Sequence, residues 1–155
     1  MNITFSHLIQ AAVVSILPIS ELRGGIPFAF AMGANIMVAF LVCTAANLLV
    51  APIMFLFLET IHIFLMRWRW YVRICEPFLT KAHRQVHAHF EKWSYLGLVI
   101  FVAIPLPLTG AYTGAIGAWA LRLDKKKSIL YISLGVIIAG IIVSLVSYLG
   151  IGALI

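Results

Sequence analysis

Apolar residues fill two long tracts, residues 5–58 and 96–150, and polar residues gather between them. Within the first tract, Ile36 to Leu58 runs for 23 positions without a charge. At 1.5 Å per residue a helix of that length reaches about 34 Å, enough for one membrane crossing. Residues 128–150 form a second clean span. The remaining apolar stretches are broken. Residues 5–33 carry Pro18, Gly24, Gly25 and Pro27, and residues 96–121 carry Pro105, Pro107, Thr109, Gly110, Thr113 and Gly114. Residues 59–95 are polar, basic and aromatic. The order is therefore broken stretch, clean span, connector, broken stretch, clean span. It reads as one membrane domain with repeat 1 at 5–58, a connector at 59–95 and repeat 2 at 96–150.

A constant offset of 89 aligns the halves: Pro18 falls on Pro107, Ser20 on Thr109 and Gly25 on Gly114. Glu21 falls on Gly110 and Arg23 on Tyr112, so the charges belong to the first half alone. If each broken stretch crosses once, the basic residues of 59–95 and of 122–127 split six against four across the membrane. If each is a re-entrant hairpin, ten of the eleven Lys and Arg residues share one side. The positive-inside rule favours the second arrangement and makes that side cytoplasmic, with both termini outside. The predicted fold is an all-α integral membrane protein: an inverted repeat of two re-entrant helical hairpins, each followed by one transmembrane helix, with an amphipathic cytoplasmic connector. Interrupted segments at corresponding positions of two halves point to a transporter's midplane site.

Composition agrees. Of 155 residues, 63% are hydrophobic and 10% charged, with a mean hydropathy of +1.08; soluble domains carry about 25% charged residues. The net charge of +6 sits beside apolar segments and reads as a topology signal, not a nucleic-acid footprint. Nothing before Arg23 is basic, so no cleavable signal peptide is expected. Cys43 and Cys75 make no disulfide framework. Enzymatic chemistry has no support, because nucleophile-elbow, phosphate-loop and zinc-protease motifs are missing, and no cofactor is implied. Energy for transport would then come from an ion gradient.

Glu21 and Arg23 are the only charges before Glu59. Ionisable groups at membrane depth are costly and usually line a cavity or pair with one another. Glu21 is a candidate proton carrier, and Arg23, permanently charged and suited to bidentate contact, a candidate ligand for phosphate or carboxylate. Gly24 and Gly25 would let backbone approach a ligand, and Pro27 would begin a half-helix whose N-terminus offers N–H groups to an anion. In the second break Thr109, Tyr112 and Thr113 supply hydroxyls and Gly110 open backbone. Thr109 or Thr113 would cap a short helix over 114–121. The bland alternatives are an ion pair that locks the fold and small residues that permit close helix packing.

The segments Glu21-Leu22-Arg23-Gly24-Gly25-Ile26-Pro27 and Ile104-Pro105-Leu106-Pro107-Leu108-Thr109-Gly110-Ala111-Tyr112-Thr113-Gly114-Ala115 resemble the two signatures of the small multi-drug export protein family. Leu108 stands where the family usually has Gly. The resemblance implies export of small molecules. The family is distantly similar to the DedA superfamily, whose re-entrant hairpins carry acidic and basic residues, and that likeness implies handling of polyprenyl phosphates.

Elsewhere the bland readings weigh more. Thr44 and Asn47 read as interhelical hydrogen-bonding groups, Pro52 as a kink, and Glu59 with His62 as interfacial. The imidazoles of His83, His87 and His89 lack partners for zinc. The run Arg67-Trp68-Arg69-Trp70-Tyr71-Val72-Arg73 reads as an interfacial amphipathic helix on anionic lipid. The leading expectation is a proton-coupled secondary transporter of the inner (plasma) membrane that exports or flips a small amphipathic or anionic solute. The alternatives are a polyprenyl-phosphate or phospholipid translocase and a non-transporting membrane scaffold. Two spans scarcely enclose a cavity alone, so a homodimer or larger assembly is expected. The expected partners are lipids, a small-molecule or lipid-phosphate substrate and protons, without nucleic acid.

Overall fold

A computed structural model describes residues 5–65, 67, 68, 72, 73, 76, 77, 79–81, 84, 86, 87, 95–106 and 109–152. Among these the regular structure is helical throughout. The elements are α1 (Phe5–Ile16), α2 (Glu21–Ala31), α3 (Ile36–Leu48), α4 (Val50–Phe57), a π-helical turn at Leu58–His62, α5 (Ile63–Leu65), α6 (Tyr95–Ala103), α7 (Ala111–Ala120) and α8 (Lys125–Gly152). Residues 69–71 of the amphipathic run, His83 and His89 of the histidine face, and the departure at Leu108 lie outside the described residues.

Local chemistry sets the boundaries. The Asn35 side chain accepts from Met37 N at 2.8 Å and starts α3, and Asp124 Oδ1 accepts from Lys127 N at 2.8 Å to start α8. Pro52 has no N–H to offer the Leu48 carbonyl, and the helix breaks between α3 and α4 at Leu49, as expected of a kink. Among the described residues two helical segments are long and apolar enough to cross a membrane, Ile36–His62 and Lys125–Gly150. These are the two clean spans.

The outer faces of these spans carry Met37, Leu41, Ile53, Leu130, Ile141 and Leu145, all exposed. An apolar surface of this extent belongs against lipid. The inner stripe of α8 is smaller: Ser128, Ile132, Val136, Ala139 and Val143 are buried at helical spacing. Gly135 and Gly140 bring backbones together there. A Cβ at Gly135 would lie 2.7 Å from Val102 Cβ and 2.9 Å from the Val99 carbonyl. One at Gly140 would lie 2.8 Å from Thr44 Oγ1. Small residues at such crossings are how helices associate where lipid is as apolar as leucine.

Each broken stretch is a pair of helices around a break. In the first, α1 packs along α2, and both pack on α3. In the second, α6 lies along α8 while α7 packs on α4 and α8, and α6 and α7 scarcely touch. The helices beyond the breaks also cross over: α2 of the first half packs on α8 of the second, and α7 of the second on α4 of the first. At one end Lys125 Nζ meets Glu59 Oε2 at 2.5 Å, so the end of the first span and the start of the second lie together. Lys127 also sits 5.9 Å from the centre of the Tyr95 ring at that end.

The α6–α8 contact supplies a stability prediction. Gly135→Ala should cost about 1–3 kcal/mol through overpacking against Val102 and Val99. Gly150→Ala, whose Cβ meets nothing within 4 Å, should be neutral or gain up to about 1 kcal/mol of helix propensity. Thermal unfolding of both variants in detergent measures the contrast.

Candidate functional site

The two breaks meet. Glu21 opens α2 with φ of 45°, a left-handed conformation uncommon outside glycine, and its side chain is only 8% exposed. Ser20 Oγ anchors the preceding turn by donating to the Val14 carbonyl at 2.6 Å. From there the Glu21 carboxylate reaches across to the start of α7. Its Oε1 accepts from the Tyr112 N–H at 3.4 Å, with the Ala111 N–H close beside it.

The residue before α7 is Gly110, at φ +144°. A Cβ there would come within 2.2 Å of Glu21 Oε2. Gly110 is thus required twice over, by its backbone conformation and by the carboxylate beside it. The helix expected over 114–121 with a Thr109 or Thr113 cap instead spans Ala111–Ala120 and has no side-chain cap of its own. Glu21 does the capping from the first half of the chain, and its negative charge meets the positive end of the α7 dipole. Thr113 is buried within α7, and Thr109 serves another contact.

That contact is Arg23. Its Nη2 donates to the Thr109 carbonyl and, at 3.0 Å, to Thr109 Oγ1. The same hydroxyl ties its own turn: it lies 2.7 Å from both the Ile104 and the Leu106 carbonyl, with one hydrogen to give to either. A third link runs the opposite way, from Tyr112 Oη to the Ile16 carbonyl at the end of α1. Among the described residues Glu21 and Arg23 form no ion pair with each other; each engages the second break instead.

Three of the predicted site residues have other work. Pro27 does not begin a half-helix: α2 starts at Glu21 and Pro27 lies inside it, where its missing N–H leaves the Arg23 carbonyl unbonded within the helix. Gly24 and Gly25 lie inside α2 as well. A Cβ at Gly25 would strike Ser15 Oγ at 1.8 Å and the Ala11 carbonyl at 2.9 Å, and one at Gly24 would lie 3.2 Å from Val14. Their smallness lets α1 pack closely.

Asn47 belongs here although its sequence context suggests only a helix-to-helix bond. That bond exists: Asn47 Nδ2 donates to the Ser15 carbonyl at 2.6 Å. Asn47 also lines, with Glu21, Leu22, Arg23, Val102 and Val136, a cavity of about 10 Å³. That is room for one water at most, so the site is closed. A lone amide in a 23-residue apolar run was the signal available.

Residues 21–142 match the model of a family described as "Putative small multi-drug export protein". Comparison with curated proteins and with solved structures found no match.

The Glu21–Gly110 contact can be measured. Gly110→Ala should destabilise the protein by about 1–3 kcal/mol of backbone strain together with the clash. In a Glu21→Ala background the penalty should shrink, with a coupling of about 0.5–3 kcal/mol in a double-mutant cycle. Additive penalties would place the carboxylate away from Gly110.

Proposed function

This chain belongs to the small multi-drug export protein family, and we propose that it is a proton-coupled secondary transporter that exports or flips a small amphipathic or anionic solute. The observation that carries this reading is the seating of the Glu21 carboxylate on the N-terminus of α7, beside Arg23 on Thr109. These contacts hold the two halves shut at their breaks. Protonating Glu21 removes the attraction between its charge and the helix dipole, worth about 0.3–2 kcal/mol. It also weakens the hold of the carboxyl on the Tyr112 N–H. An anionic substrate group presents the same chemistry as the carboxylate and would take that N–H group and Arg23 in its place. Proton and substrate thereby bias one closed arrangement in the same direction, which is what coupling requires.

We read the two halves as an inverted repeat of re-entrant hairpins. The crossover of α2 onto α8 and of α7 onto α4 supports this reading. So does the contact of Glu21 with Gly110, its own counterpart at the offset of 89, because a residue touches its symmetry mate only near the axis. The pairing of Glu59 with Lys125 supports a single basic, cytoplasmic face with both termini outside. The transporting unit is a homodimer or larger assembly.

A scaffold reading, in which the interlock only stabilises the fold, draws support from the closure of the site to about 10 Å³. Glu21→Gln separates the two. In proteoliposomes with an imposed proton gradient, the folded variant should lose at least tenfold of gradient-driven export of cationic and anionic dyes. Export equal to that of the wild type would remove Glu21 as the proton carrier, and a variant that no longer folds would favour the scaffold.

A further inference from the structure

The Asn47 side chain is 1% exposed, and its Oδ1 has no hydrogen-bond partner. An unpaired buried acceptor is costly and calls for a partner. The amide cannot turn round to find one, because a flip would set its oxygen against the Ser15 carbonyl that Nδ2 now satisfies. The oxygen is therefore the end of the amide left for the cavity that Asn47 lines with Glu21 and Arg23. The other walls, among them Leu22, Val102 and Val136, offer only apolar side chains.

We infer that one water molecule is bound in this cavity, joining Asn47 Oδ1 to Glu21 and Arg23, and that Asn47 is a positioning residue of the site. The hydrogen-bonding capacities match. Water has two hydrogens for two acceptors, the Asn47 amide oxygen and the Glu21 carboxylate. Its lone pair accepts from an Arg23 N–H not engaged with Thr109, since a guanidinium carries five donors. The volume of about 10 Å³ holds one such molecule, and a buried water typically makes about three bonds. Asn47 thereby orders the proton-accepting group from the first span. Its counterpart at the offset of 89 is Val136, which lines the same cavity. The water is thus held from the first half, like the charges.

Two measurements test this. A structure in lipid nanodiscs at a resolution that shows ordered water should place one density within hydrogen-bonding distance of Asn47 Oδ1 and the Glu21 carboxylate. A dry contact there would overturn the inference, whatever the fate of any variant. Independently, infrared difference spectra across a pH jump should contain a carboxylic-acid C=O band that Glu21→Gln abolishes. In folded Asn47→Leu that band should move to higher frequency as its hydrogen bond is lost; an unmoved band would overturn the inference. Only this second arm rests on Glu21 as a proton carrier. A wild-type spectrum without any Glu21-dependent band would defeat that reading while the density still decides the water.

Discussion

The contact on which the structure depends is a carboxylate at the end of a helix it does not belong to. Glu21 opens α2 and caps α7. The α7 helix needs an acceptor for its first N–H groups, and in an apolar surrounding water is scarce. Glu21 needs donors because it is buried. Each solves the other's problem, and the solution draws the two halves of the chain together at their breaks. Arg23 on Thr109 and Tyr112 on the Ile16 carbonyl extend the same exchange, each satisfying a polar group of the opposite break. The packing glycines of α2 and α8 bring the surrounding helices close around these contacts.

The exchange also accounts for the confinement of the charges to the first half of the chain. At the offset of 89 Glu21 corresponds to Gly110, and the two are in contact. A second carboxylate at position 110 would occupy the space the first one fills, and a like charge would face it at low dielectric. One half must therefore carry the charge and the other must yield. Gly110 yields both volume and backbone freedom.

Much of the architecture was legible in the chain. Charge-free runs located the two spans, and prolines and glycines located the breaks. The isolated charges of the first break are the groups that reach the second. What stayed hidden was cooperation between distant segments. A helix capped by a residue some ninety positions away leaves no local signal, so the threonines point to a later start than the one that follows Gly110. Gly24 and Gly25 fit a ligand-approach reading and a packing reading equally well in sequence; only the distances to Ser15 and Ala11 separate them. Pro27 is tolerated inside α2 although proline usually marks a helix start. Asn47 was visible as a polar residue, but its place beside Glu21 follows from how α1, α2 and α3 pack.

If the interlock is the gate, its closure must depend on the Glu21 charge. Ile19 and Leu106 are exposed on the two breaks, and spin labels there report the separation directly. Pulsed electron resonance in lipid nanodiscs should give one short distance at neutral pH. On acidification a second, longer distance should appear, and in Glu21→Gln that longer distance should be present at every pH. A single distance that neither acid nor the substitution alters would contradict the account.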